Sequence, residues 1–211
     1  MERVVRRLGL LGGTFDPIHC GHLVAAEEAR SQLDLERVLF VPTGSPPHKP
    51  DSSVSPVEHR VRMVELALDD RPHFELSRAD VDRPGPSYTV RTLEIVHSEW
   101  GPRLALFFIE GADSLADLLT WHKPRRLLEL CQLAVVERPG VELDLAELDR
   151  QLPGLAATVH WVQMPCLEIS SSDLRARVRM GRSISCLVPP AVEAYIHRWD
   201  LYRDWGQAPA G

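Results

Sequence analysis

The chain lacks most of the features that mark a special environment. Its four cysteines, Cys20, Cys131, Cys166 and Cys186, follow no pairing or CxxC spacing. That excludes a disulfide framework and makes a reducing, cytoplasmic compartment the expectation. No HExxH pattern is present, and His48 and Cys20 give the histidines no zinc-site spacing, so no protein-held metal is expected. No apolar run approaches membrane-spanning length, and the short one near the start ends in Gly12-Gly13, too soon for a secretory signal. An excess of positive charge is missing as well. Lysine and arginine number 24 against 30 acidic residues, and the net charge of −6 argues against a nucleic-acid partner. Internal repeats and low-complexity tracts are absent.

What remains is the composition of an ordinary globular protein, 44% hydrophobic and 26% charged over 211 residues. A chain of that length buries about 70% of its unfolded surface. Apolar runs at residues 4–11, 38–41, 74–76, 104–109, 133–136 and 158–162 read as strands. Helical periodicity lies between them at about 20–33, 56–68, 88–98, 114–119, 125–130 and 144–152. Pro56 suits a first helical turn, with Ser55 as its N-cap. The alternation predicts an α/β fold, a doubly wound, Rossmann-like parallel sheet flanked by helices, with ligands at the carboxyl ends of the strands. One domain is expected over residues 1–202, its C-terminal helical part at about 168–202, followed by a tail at 203–211. Tyr195, Trp199 and Tyr202 form a stripe of the kind found in cores and subunit contacts, which leaves a homo-oligomer open.

Chemistry concentrates in the first strand-to-helix turn, Gly12-Gly13-Thr14-Phe15-Asp16-Pro17-Ile18-His19-Cys20-Gly21-His22. Glycines let main-chain N–H groups approach an anion, and a helix start adds N–H groups and partial positive charge. His19 and His22, one helical turn apart, can project from one face. These features point to phosphate binding. A loop after the second strand, Ser45-Pro46-Pro47-His48-Lys49, opens on the same rim and offers Lys49 to a phosphate. A third group, Ile169-Ser170-Ser171-Ser172-Asp173-Leu174-Arg175, reads as a serine-capped helix start. Its hydroxyls can bond phosphate oxygens, and an Arg175 guanidinium fork suits oxygen pairs. Leu174 and Val178 would face the core.

The first and third segments resemble the paired signatures of the (T/H)xGH nucleotidyltransferases. Ser45 to Lys49, Gly85-Pro86-Ser87-Tyr88-Thr89-Val90-Arg91-Thr92-Leu93, Gly111-Ala112-Asp113 through Trp121, and Arg138-Pro139-Gly140 resemble the bacterial nicotinate-nucleotide adenylyltransferases. These blocks occur in the family's order over residues 8–175. The resemblance implies adenylyl transfer from ATP, with Mg²⁺, to nicotinate mononucleotide, giving deamido-NAD and pyrophosphate in NAD biosynthesis. It implies ATP contacts from Gly12, Gly13, Thr14, Phe15, His19, His22, Ser170, Ser171, Ser172 and Arg175. His19, His22 and Arg175 would be catalytic. It implies acceptor contacts from Thr14, Lys49, Tyr88, Thr89, Asp113, Trp121 and Arg138, with the Trp121 indole stacked on the pyridine ring. Arg91 departs from the family's usual aspartate, and Ser172 replaces a threonine while keeping the hydroxyl.

A phosphate monoester with its second pKa near 6 is already a nucleophile at neutral pH. The residues therefore suggest electrostatic positioning for direct in-line attack, without a general base. Two other readings stay in view: another adenylyltransferase of the same superfamily, such as one acting on phosphopantetheine, and a non-catalytic nucleotide-binding regulator.

Overall fold

Leu8, Leu10 and Leu11 lie in a strand buried on both faces, which explains an apolar run instead of an alternating pattern. A computed structural model describes residues 6–45, 54–137 and 143–203. The strands are β1 (Arg6–Gly13), β2 (Arg37–Pro42), β3 (Phe74–Leu76), β4 (Leu104–Gly111), β5 (Gln132–Val136) and β6 (Val159–Val162). They form one six-stranded sheet in the order β3-β2-β1-β4-β5-β6, with every pair parallel. The expected α/β architecture is present. Strand order reverses between β1 and β4, so the carboxyl ends of these neighbours flank a crevice where ligands bind in such sheets.

Helices cover both faces. On one lie α1 (Cys20–Gln32), α2 (Val57–Leu68), α8 (Ser171–Arg179) and α9 (Pro190–Arg198), whose Leu23, Val64, Leu174 and Val192 share a core with Phe107 and Ile109. On the other lie α3 (Thr89–Trp100), α4 (Ala112–Ala116), α5 (Pro124–Leu130), α6 (Leu145–Gln151) and α7 (Leu155–Thr158). Their Leu93, Leu115, Leu127, Leu148 and Leu155 pack with Leu106 and Phe108. Successive β4 residues thus serve opposite cores, as the two-residue period of a strand requires. Leu174 and Val178 face the first core as expected.

Two helix starts differ from the sequence reading. The α2 helix begins at Val57 with Pro56 at its N-cap, and Ser55 caps nothing with its side chain. The Ser55 backbone is engaged elsewhere: its N–H donates to Asp16 and its carbonyl accepts from Arg60. The segment expected as a helix at 114–119 is α4 followed by a separate 3-10 turn, Leu118–Thr120. Leu115 and Leu118 are both fully buried, and the tighter turn brings Leu118 inward before Trp121. Of the 203–211 tail only Arg203 lies among the described residues.

Leu8→Ala, in the middle of β1, is expected to lower stability by about 2–5 kcal/mol through lost burial and a residual cavity. Urea unfolding should show a lower midpoint with an unchanged slope.

Candidate functional site

Two glycines, one at the end of β1 and one in the first turn of α1, pack closely against ring side chains of the first βα turn. A Cβ on Gly13 would come 2.9 Å from the Phe15 ring, and one on Gly21 would come 3.1 Å from His19 Nδ1. Phe15 takes a positive φ of 49° and is 2% exposed, so the turn doubles back over its own aromatic ring. The Asp16–Pro17 peptide bond is cis. His19 is the N-cap residue of α1, and the His19 and His22 rings stack with centroids 3.6 Å apart. Both histidines therefore share one face, as their spacing predicts. The His19 backbone N–H donates to His22 Nδ1 at 3.2 Å. That bond makes Nδ1 the acceptor and leaves the ring proton on Nε2, aimed away from the backbone. The expectation of unpaired N–H groups at the start of α1 is met only in part, because Cys20 N–H donates to the Leu187 carbonyl at 2.9 Å.

Arg60 organises the loops around this turn. It is 2% exposed, and its guanidinium donates to the carbonyls of Thr14 and Thr43 (2.8 Å each), Ser55 (3.0 Å) and Gly44 (3.3 Å). Burial lowers its pKa, while the charges of Asp16 and Asp80 oppose that shift. Asp16 completes the hub. Its carboxylate accepts from Tyr202 Oη at 2.7 Å and Ser55 N–H at 3.1 Å. Its carbonyl accepts from Arg175 Nη1 at 2.7 Å. Arg175 is thereby fixed beside the first turn, and its Nη2 donates to Ser172 Oγ at 3.3 Å. Ser170 caps α8 by accepting from Asp173 N–H, while Ser171 Oγ donates to the Pro17 carbonyl.

Three contiguous cavities open on this crevice. One, of about 370 Å³, lies between Thr14, Phe15, His22, Ser170, Ser171, Ser172 and Arg175. A second, of about 400 Å³, runs from His19 and His22 past Gly111 to Ile169. The third, of about 430 Å³, is lined by Gly12, Gly13, Thr14, His22, Thr89, Glu110 and Trp121. Among the described residues, His22 alone borders all of them.

Trp121 packs edge-on to Phe108 with centroids 5.8 Å apart. Tyr88 does not line these cavities; its ring stacks on His122 at 4.2 Å. Asp113 is exposed in the first turn of α4. Arg91 is exposed too, its guanidinium 5.7 Å over the Tyr88 ring. Lys49 and Arg138 lie outside the described residues.

Several contributors escaped sequence reading. Arg60 sits on the inward stripe of α2 with Val61 and Val64, and a charge on such a stripe signals a buried polar hub. Asp80 is 4% exposed; it accepts from Gly44 N–H and Thr92 Oγ1 and pairs with Arg83. It ties the loop after β2 to α3. Glu110 is 6% exposed without a hydrogen-bond partner for either oxygen among the described residues, and burial, then the nearby Asp113 charge, pushes its pKa up to about 8.

A cytidylyltransferase-like family model matches residues 10–177. A probable nicotinate-nucleotide adenylyltransferase of Thermomicrobium roseum is 49% identical, covering 93% of this chain and 92% of the relative. One from Roseiflexus castenholzii is 50% identical over 93% of this chain and 98% of its own. Among solved structures, a nicotinic acid mononucleotide adenylyltransferase of Plasmodium falciparum in complex with NaAD superposes with a TM-score of 0.76. It is 20% identical and covers 93% of this chain and 97% of its own, a likeness of fold.

Arg60→Met leaves four loop carbonyls without their donor and should cost about 3 kcal/mol or more. Thermal unfolding should report that loss, with ATP binding weakened in the fraction that stays folded. Glu110 gives a pH signature of stability. With its folded pKa raised, the protein is favoured while the group stays protonated and loses that advantage as pH rises from the unfolded value towards about 8. Glu110→Gln is therefore expected to flatten the fall in melting temperature between pH 5 and 8 relative to the parent.

Proposed function

The chain belongs to the nicotinate-nucleotide adenylyltransferases of the cytidylyltransferase-like family, and from that membership we propose how its residues divide the work. The enzyme transfers the adenylyl group of ATP to nicotinate mononucleotide, yielding deamido-NAD and pyrophosphate for NAD biosynthesis. The observation that carries the division is the place of His22, on the border of all three cavities. A group there reaches the point where donor and acceptor phosphates meet.

The triphosphate of ATP occupies the cavity between Thr14, His22, the serines of α8 and Arg175. The start of α8 favours anions there, and Gly12 and Gly13 border the adjoining cavity, to which Thr14 and His22 are common. Arg175, already anchored on the Asp16 carbonyl, turns its remaining N–H groups to the departing pyrophosphate. His22 donates from Nε2 to the α-phosphoryl oxygens, and His19, stacked on it, keeps that ring in place. Neither needs to remove a proton, because the attacking phosphate arrives ionised. Their contribution is donors already aimed at charge that grows in the transition state.

The described residues include no cluster of three or more His, Cys, Asp or Glu suited to holding a metal ion. That donor set fits a Mg²⁺ carried by the triphosphate oxygens and water, not one caged by the protein. When bound, the ion neutralises charge on the triphosphate.

The acceptor fills the cavity lined by Thr89 and Trp121, with the pyridine ring against the indole. Tyr88 supplies no side-chain cap to α3; Arg91 N–H donates to the Tyr88 carbonyl, and the Thr89 and Val90 N–H groups ahead of it are the donors assigned to the acceptor. A nicotinate carboxylate suits those donors, whereas an amide would bring its NH₂ against them. Tyr88, Asp113, Phe15, Lys49 and Arg138 retain the binding roles implied by resemblance. The four cysteines are free, and no helix among the described residues is long and apolar enough to cross a membrane. Both support a cytoplasmic setting.

Pyrophosphate release with ATP, Mg²⁺ and a panel of acceptors tests the assignment. Nicotinate mononucleotide should give the highest kcat/KM, ahead of nicotinamide mononucleotide, and phosphopantetheine should give none; turnover of phosphopantetheine alone would refute it. Trp121→Ala should raise the KM for the mononucleotide by about 10-fold or more, as loss of a stacking contact implies, with the KM for ATP nearly unchanged. His22→Ala should lower kcat by about 100- to 1000-fold, the range for losing one transition-state donor.

A further inference from the structure

Glu110 has no task in this division of work, yet it occupies the centre of the site. Leu106 and Phe108 of β4 face the core on the Trp121 side, and Phe107 and Ile109 face the opposite core. Glu110 comes next in that alternation, on the Phe108 side, and lines the acceptor cavity. It also borders the cavity of His19 and His22. Its side chain is 6% exposed, and neither oxygen has a hydrogen-bond partner among the described residues. A buried polar group in that condition is costly unless a partner arrives. The ionisable groups around it are His19 and His22 at the start of α1, Cys131 before β5, Glu137 after β5, Cys166 and Glu168 ahead of α8, Asp80 before α3 and Asp113 on α4. No lysine or arginine lines either cavity among the described residues. The surroundings therefore supply acidic neighbours and no strong counter-cation.

We propose that Glu110 sets acceptor specificity, its carboxylate acting as the counter-charge to the cationic, N-alkylated pyridine ring, so that the site selects a pyridinium mononucleotide over one with an uncharged ring. This rests on the acceptor reading given above. A pyridinium carboxylate is dipolar, and the two ends then meet opposite partners. The first turn of α3 meets the carboxylate, and Glu110 meets the ring nitrogen. Before binding, burial keeps Glu110 protonated at neutral pH. A cation beside it favours the ionised form. Binding is accordingly accompanied by release of the Glu110 proton to solvent, and the group passes from COOH to COO⁻ with no other bond changed.

The test uses the full chain and two probes, nicotinate mononucleotide and its isostere in which a 3-carboxyphenyl ring, uncharged at the nitrogen position, replaces the pyridinium. Calorimetry at pH 7 in two buffers of different ionisation heat reads affinity and proton release together. The parent protein should bind the cationic probe at least about 10-fold more tightly, the equivalent of one pKa unit, and release a proton only with that probe. Glu110→Gln, close in shape, should bind the two probes within about 2-fold, release no proton and keep the KM for ATP. Equal affinity of the parent protein for both rings, or a preference that survives in Glu110→Gln, overturns the proposal. The parent comparison decides the matter alone should the variant fail to fold. A protein that releases no pyrophosphate with nicotinate mononucleotide overturns the acceptor reading itself, whereas normal turnover with equal affinity overturns only the role of Glu110.

Discussion

The Arg60 guanidinium, buried beneath the site, ties together three loops that sequence separates. Residues 14–16 leave β1, residues 43 and 44 leave β2, and residue 55 precedes α2; each gives a main-chain carbonyl to the same side chain, and residue 55 also donates its N–H to the neighbouring Asp16 carboxylate. An arginine suits this role because its planar fork offers five donors in fixed directions. Placing a charge there is costly, and Asp16 and Asp80 supply the compensating field. Asp16 extends the hub in two directions, to Tyr202 beyond α9 and to Arg175 on α8. The C-terminal helices are thereby coupled to the first turn.

That coupling accounts for the shape of the site. The sheet reverses its strand order between β1 and β4, which opens a crevice but fills it with nothing. The β1 turn provides one wall and the α8 helix start another, more than 150 positions along the chain. The Asp16–Arg175 bond and the Ser171–Pro17 bond hold the two walls together. An acidic protein can in this way present a local anion site. Short-range donors fixed by the fold outweigh a net charge of −6 spread over the surface and screened by salt.

Much of this was legible in the sequence because the local rules agree. Strands buried on both faces read as apolar runs, and each was placed within about two residues, the usual uncertainty of element ends. The glycine turn, the histidine pair and the serine-capped helix of Arg175 were equally visible, since each depends on neighbours in sequence. What escaped depends on distant contacts. Ser55 looked like a cap, but Asp16 and Arg60 had claimed its backbone. The stacking of the Tyr88 ring on His122, 34 positions later, was equally out of view. Glu110 lay just past the apolar run at 104–109, in the part of β4 that the run did not reveal, and periodicity gives the face of a residue and not the lack of a partner. A single charge within a buried stripe, as at Arg60 and Glu110, is the signal that would have found both.

The central claim is that the site works by orientation and fixed charge: one phosphate attacks another directly, and no protein group becomes covalently attached on the way. ATP made chiral at the α-phosphorus with sulfur and an oxygen isotope reports this most directly. Direct in-line transfer predicts inversion of configuration in the deamido-NAD formed. Retention would mean two displacements through an adenylylated enzyme, and it would contradict the account.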